Sequence, residues 1–227
     1  MLLPHHLVEQ LAGERRQLDA TALTQRLSRR AALFDRSGDS HYNLISALHK
    51  SVRGSDPDAA LYWLARMLKG GEDPRFLARR ITRMAVEDVG LADPAAQRLC
   101  LDAWETYERL GSPEGELALA SAVIYLALAP KSNAAYTAFA GALAAAERTG
   151  SLAPPKHILN APTRWMKSEG FGAGYVYDHD TESGFSGQEY FPPEMPRERY
   201  YDPLGRGAEQ DLRERLLSFA AERARKG

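Results

Sequence analysis

Acids and a histidine come closest together at Asp178-His179-Asp180 with Glu182, residue types that ligate a divalent cation. Consecutive side chains cannot easily converge on one ion, and no second ligand set stands at a suitable spacing, so this run reads as a solvated acidic turn. Gly170, Gly172 and Gly174 have the look of a nucleotide-binding glycine run, but no strand precedes them and no helix follows. They read as turn glycines. His41 and His157 have no Ser or Cys partner in a nucleophile motif, so no hydrolytic triad is expected. A P-loop needs G-x-x-x-x-G-K-[ST], because backbone N–H groups hold the phosphates while the Lys and the hydroxyl reach the terminal phosphates and Mg²⁺. No Gly-Lys pair occurs in the chain. The expectation is a chain with no catalytic residue, no metal site and no cofactor of its own.

The cations carry more. Lys50 and Arg53, with Arg79, Arg80 and Arg83 one helix later, could line a track for phosphates; the alternative is ion pairing with Asp56, Asp58 and Glu87. Lys156, Arg164 and Lys167, near Asn160, form a second basic patch open to the same two readings. Glu87-Asp88 is expected at a helix end, where acids oppose the dipole and need a compensating Arg79 or Arg83. Lys131-Ser132-Asn133 is first a helix start and only second a loop for a partner.

These groups are positioned by helices whose ends are punctuated. Asp56-Pro57, Asp73-Pro74, Asp93-Pro94 and Ser112-Pro113 each pair a capping side chain with a proline at the helix start, at intervals of about 17 to 20 residues. Gly70, Gly90 and Gly111 stand where the preceding helices should stop. Tyr42, Ile45, Leu48 and Val52 share one face of an earlier helix, from whose end His49, Lys50 and Arg53 are expected to project. An Ala-rich helix follows over Ser132 to Arg148, and Leu117 to Ala129 reads as a core helix. The reading is an all-α chain, a helical bundle or short α-solenoid. Its 44% apolar content over 227 residues suffices for a real core.

From Ala153 the grammar changes. Seven prolines and seven glycines punctuate residues 153–207, and only one short helix is expected, Thr163 to Ser168. Linkers are poor in aromatics, yet this stretch holds Phe171, Tyr175, Tyr177, Phe185, Tyr190, Phe191, Tyr200 and Tyr201. It reads as an extended arm that packs its rings on the same subunit or a neighbour, and these eight are the candidate interface residues. An amphipathic helix from Glu209 to Arg225 closes the chain.

The formal charge of -1 excludes a uniformly basic nucleic-acid coat, while permitting a local basic stripe. The single Cys100 reads as a small buried hydrophobe. The first residues lack the basic and apolar regions of a secretion signal, and no apolar run reaches the roughly 20 residues needed to span a bilayer. A soluble intracellular protein is expected.

The stretch from Gly38 to Pro74, then Ala78-Arg79-Arg80, Glu87-Asp88-Val89-Gly90, Ala92-Asp93-Pro94, Ala129 to Asn133 and Asn160 to Thr163, resembles in order the C-terminal part of a family of AAA+ ATPases. That family is replication-associated recombination protein A (RarA, also called MgsA), related to the Werner-helicase-interacting protein. The resemblance implies a fold like the clamp-loader collar. It divides the chain into a helical-lid remnant (1–37), a helical oligomerisation domain (38–152), the irregular arm (153–207) and a C-terminal helix (208–227). It further implies a homotetramer, single-stranded or gapped DNA and the single-stranded-DNA-binding protein as partners, and a cytoplasmic, nucleoid-associated location. ATP and Mg²⁺ would belong to the ATPase module of full-length members. Asn43, Trp165 and Ala173 depart from the family pattern. A stand-alone DNA- or protein-binding adaptor is the alternative.

Overall fold

The computed structural model describes residues 39–226. The lid remnant expected over 1–37 and the side chain of His41 lie outside the described residues. The elements are α1 (Asp39–Arg53), α2 (Pro57–Gly70), α3 (Pro74–Met84), a π-helical turn (Ala85–Val89), a 3₁₀ turn (Gly90–Ala92), α4 (Ala95–Leu110), α5 (Glu116–Leu128) and α6 (Ala134–Thr149). The arm then contributes 3₁₀ turns at Lys156–Ile158 and Asp178–Asp180 with the short α7 (Arg164–Ser168) between them, before α8 (Glu209–Lys226). No strand occurs among the described residues.

Local chemistry explains most helix starts. The Asp56 carboxylate accepts from Ala59 N–H at 2.9 Å with Pro57 in the first turn of α2, and Asp73 accepts from Arg75 N–H at 2.9 Å at the head of α3. Asp93 accepts from Ala95 N–H at 3.1 Å, so α4 begins one residue beyond Pro94. Ser112-Pro113 does not start a helix: residues 112–115 form a turn, and α5 begins at Glu116. Gly115 in that turn lies so close to Tyr107 that a Cβ would stand 2.7 Å from its Cα. Gly70 is the last residue of α2, and Gly71, at φ 89°, makes the left-handed cap. Ser132 lies outside α6, its hydroxyl accepting from Ala134 N–H at 3.2 Å.

Helices α1 to α5 enclose one core. Leu48 and Val52 from α1, Leu64 and Met67 from α2, Leu77, Ile81 and Met84 from α3, Cys100 from α4, and Leu119, Val123 and Leu126 from α5 are all buried in it. Helix α5 touches α1, α2, α3 and α4, which suits a helix apolar on nearly every side. Each fully buried Leu or Met contributes about 1.5 to 3 kcal/mol relative to exposure.

Two positions on α1 depart from expectation. Tyr42 is 75% exposed, whereas His49 is buried. His49 lies four residues after Ile45 and shares its face, and its ring can be buried because Asp88 supplies a polar partner there.

The arm and α8 fold back on one another. Phe185 stacks on Phe219 of α8 at 4.9 Å between centroids, with the Arg223 guanidinium 5.1 Å over the Phe185 ring. Phe191 meets Tyr200 at 6.1 Å, and Arg148 of α6 pairs with Glu198 at 2.5 Å. The buried Glu209 accepts from Tyr201 hydroxyl at 3.2 Å and from Leu204 N–H at 3.0 Å, and burial with this carboxylate pushes the Tyr201 phenol up to about 12.

Candidate functional site

The end of α1 meets the π-helical turn in a polar network. Asp88 is 6% exposed, yet its carboxylate is shared by two groups of α1: the His49 ring, hydrogen-bonded through Nε2 to Oδ2, and Arg53, whose Nε donates to Oδ1 at 2.6 Å. Burial pushes the Asp88 carboxyl up, but hydrogen bonds from His49 and Arg53 and their charges outweigh it, holding the group below its ordinary value. Glu87 pairs with Arg83 at 2.7 Å and with Arg53 at 3.5 Å. The compensating arginines for the two acids are thus Arg83 and Arg53. Arg79 instead sits with its guanidinium 5.8 Å over the Phe76 ring.

The π turn brings the acids to this place. Five residues wound more widely than an α-helix carry Asp88 to the core side and leave Glu87 half-buried beside it, and Gly90 at φ 54° ends the turn with the chain pressed against the loop before α6. A Cβ on Gly90 would lie 2.8 Å from the Ser132 carbonyl oxygen. Ser132 N–H donates to the Asp88 carbonyl at 2.7 Å, which ties the 129–133 loop to the same turn. Lys131 donates to the Ala129 and Ala127 carbonyls at 2.5 and 2.9 Å, and burial lowers its pKa.

Two clefts flank the Arg53–Glu87 pair. One, of about 300 Å³, is lined by Tyr42, Lys50, Arg53, Arg80, Arg83 and Glu87, among others. The other, of about 460 Å³, has Arg53, Glu87, Lys131, Asn133, Tyr136 and Arg206 in its walls. The structure therefore gathers Lys50, Arg53, Arg80 and Arg83 at one place and leaves Arg79 outside the lining. Lys50 and Arg80 have no ion-pair partner among the described residues, so their charge is available to an anion. Lys131 and Arg206 add to the second cleft; Arg206, 75 residues from Lys131 in sequence, donates to its carbonyl at 3.1 Å. Separation of that kind hid Arg206 from sequence reasoning.

His49, Glu87 and Asp88 bring three donor atoms within 4.8 Å of one another, a grouping the sequence did not disclose. Arg53 and Arg83 already engage these donors and supply the positive charge an ion would bring. The arrangement is an ion-pair network that joins elements. At the other acidic run, Asp178 accepts from Ser186 N–H at 2.7 Å and Tyr190 hydroxyl at 3.1 Å, while the His179 and Tyr177 rings meet at 5.0 Å, tilted by 54°. Asp178 organises the arm.

The second basic patch lies on a closed loop apart from these clefts. Lys156 donates to the Glu169 carbonyl at 3.2 Å and lies 5.6 Å over the Phe171 ring, while Arg164 and Lys167 are exposed on α7. Of the eight arm aromatics, Phe185, Phe191, Tyr200 and Tyr201 contact α8 or one another, and Phe171 sits beneath Lys156. Tyr175, Tyr177 and Tyr190 stay exposed. Further apolar groups are exposed on the helices: Leu117 and Leu128 on α5, and Tyr136, Phe139 and Leu143 on α6.

The MgsA AAA+ ATPase C-terminal family model matches residues 54–220. The chain belongs to this family. A second model, the AAA C-terminal domain, matches residues 4–53 and ends at the last residue of α1. The chain is similar to replication-associated recombination protein A of Coxiella burnetii, 57% identical over 81% of this chain and 42% of that protein. The same-named protein of Escherichia coli K12 is 50% identical over 92% of this chain and 47% of that protein. ATPase WRNIP1 of Dictyostelium discoideum is 42% identical over 78% of this chain and 20% of that protein. The chain spans less than half the length of these relatives. No helix among the described residues is long and apolar enough to cross a membrane.

Proposed function

We propose that this chain is the C-terminal assembly and DNA-contacting region of a RarA/MgsA-type AAA+ ATPase acting in replication, recombination and repair at stalled or gapped forks. The observation that carries the reading is the match to the family's C-terminal model over residues 54–220. Its setting is the cytoplasm, with the nucleoid. Its partners are single-stranded or gapped DNA, the single-stranded-DNA-binding protein and further copies of itself. ATP and Mg²⁺ serve the full-length family elsewhere. The residues present here do not fit them: there is no P-loop, and Gly172 faces the Leu159 carbonyl oxygen, an acceptor that would repel phosphate.

Support for DNA contact is the cleft bearing Lys50, Arg53, Arg80 and Arg83, with Lys156, Arg164 and Lys167 as a second patch. Contacts to phosphates bind without regard to sequence and weaken with salt. The Lys50→Glu, Arg80→Glu double variant is expected to weaken DNA binding and to lower the log-log salt slope by about 0.7 to 0.9 for each phosphate that is no longer neutralised. Arg53 and Arg83 are left intact because they hold Glu87 and Asp88. Fluorescence anisotropy across a salt series measures this, and an unchanged slope assigns both cations to structure.

Support for assembly into a homotetramer is the apolar surface on α5 and α6, since patches of this kind mark interfaces. Helix α6 buries only Ala134 and Ala145, leaving Phe139 66% exposed. Light scattering should give a mass several times 25.1 kDa, and Phe139→Glu with Leu143→Glu should return it to that of one chain. A mass of 25.1 kDa at every concentration of the unaltered chain defeats the assembly reading.

A further inference from the structure

Residues 156–172 form a small closed unit. Gly172 N–H donates to the Lys156 carbonyl at 2.9 Å, and Lys156 Nζ reaches the Glu169 carbonyl at 3.2 Å, so the unit's two ends are bonded to each other. Between them stands α7, capped by the Thr163 hydroxyl, which accepts from Met166 N–H at 3.1 Å. The helix is closed by Glu169 N–H on the Trp165 carbonyl at 3.0 Å and Phe171 N–H on the Met166 carbonyl at 3.1 Å. This bonding fixes the backbone that carries Trp165, whose side chain is left largely in water at 66% exposure.

Arg164, one residue before Trp165, and Lys167, two residues after it, stand on the same short helix, both exposed and without an ion-pair partner among the described residues. Within 154–173 the cations Lys156, Arg164 and Lys167 face a single acid, Glu169, although the whole chain carries a formal charge of -1. A large exposed aromatic ring on a fixed backbone, carried by a short helix that also bears two exposed cations, matches a strand whose bases offer faces and whose backbone offers phosphates. In a duplex the base faces are already covered by neighbouring pairs.

We propose that Trp165 is a base-stacking residue for single-stranded nucleic acid, with Arg164 and Lys167 holding the adjacent phosphates. The inference rests on the DNA-contacting reading above and assigns the preference for unpaired strands to this loop instead of the α1–α3 cleft. The indole supplies stacking, which is indifferent to base identity, and the cations supply the salt-dependent part.

The test uses the full chain with a labelled oligothymidylate and a labelled blunt hairpin duplex, both at low salt. Trp165→Ala is expected to weaken oligothymidylate binding about tenfold and to leave hairpin binding unchanged, because stacking is removed while the phosphates are still held. Trp165→Phe should retain most of the affinity, and Arg164→Glu with Lys167→Glu should weaken both ligands. The indole is mostly in water, and an unchanged circular dichroism melt of each variant confirms that folding is kept. Equal oligothymidylate affinity for Trp165→Ala and the unaltered chain overturns this inference alone. So does a loss seen only with a labelled acidic peptide run as a third ligand, which would make the loop a protein-docking site. Failure of the unaltered chain to bind either nucleic acid overturns the DNA-contacting reading and this inference together.

Discussion

Asp88→Ala is expected to destabilise the fold by about 3 kcal/mol, the low end of the range for breaking a buried ion pair. The low end applies because Arg53 is half exposed and can turn to water, whereas His49 is buried and cannot. The loss falls on a junction, since Asp88 joins the end of α1 to the π turn through its carboxylate and that turn to the 129–133 loop through its carbonyl. Urea unfolding followed by circular dichroism measures it, and a change below about 0.5 kcal/mol, the size of an ordinary surface substitution, would show that the network contributes nothing.

The same residue sets a pH dependence of known sign. Its carboxyl is held below the ordinary 3.8, so in acid the unfolded chain binds a proton at this position before the folded one does. Its contribution is fully present above the unfolded value and is lost as pH falls through the folded one. The unaltered chain should therefore lose stability below about pH 4 more steeply than Asp88→Asn, which keeps the shape and has no proton to bind. Parallel profiles for the two would place the acid sensitivity on other carboxyls.

Gly207→Ala is expected to cost about 2 kcal/mol or more, because it combines a backbone strain with a collision. Gly207 has φ 52°, and a Cβ there would stand 2.2 Å from the Ala92 carbonyl oxygen and 2.8 Å from Pro130 Cγ. Both obstacles belong to the helical body. Neither can yield without opening the junction at which Ala208 N–H donates to the Ala92 carbonyl at 2.8 Å. The start of α8 should part from the 3₁₀ turn while the α1–α5 core persists. Hydrogen exchange should show amides of α8 losing protection and those of α2 and α5 keeping it. Gly150→Ala is the control: at φ 60° and ψ -113° its backbone also disfavours a side chain, but nothing lies within 4 Å of a Cβ, so only the strain, on the order of 1 to 3 kcal/mol, remains and the Gly207 loss should exceed it. Equal losses at the two positions would show that the collision relaxes freely.

What the sequence by itself determined about this protein is whatever depends on neighbours in the chain. Asp56-Pro57 and Asp73-Pro74 start helices because a carboxylate reaches an N–H two or three residues ahead wherever the helix lies in the fold. The short helix ending at Ser168, the buried Cys100 and the all-α class were legible for the same reason, as was family membership, carried by motifs in fixed order. Ser112-Pro113 has the same two-residue form but opens a turn packed on Tyr107, because that packing joins separate elements. The candidate site was legible only as a set of cations. Which of them are spent on ion pairs depended on a π turn that no local residue type announces, and on His49, whose burial required a partner 39 residues away. Likewise the arm's rings were visible as rings, but only the fold decided that Phe185 is covered by Phe219 while Phe139 and Trp165 face water. Local geometry is written in the order of residues, whereas pairing of charges and covering of apolar surface depend on which distant segments share a wall.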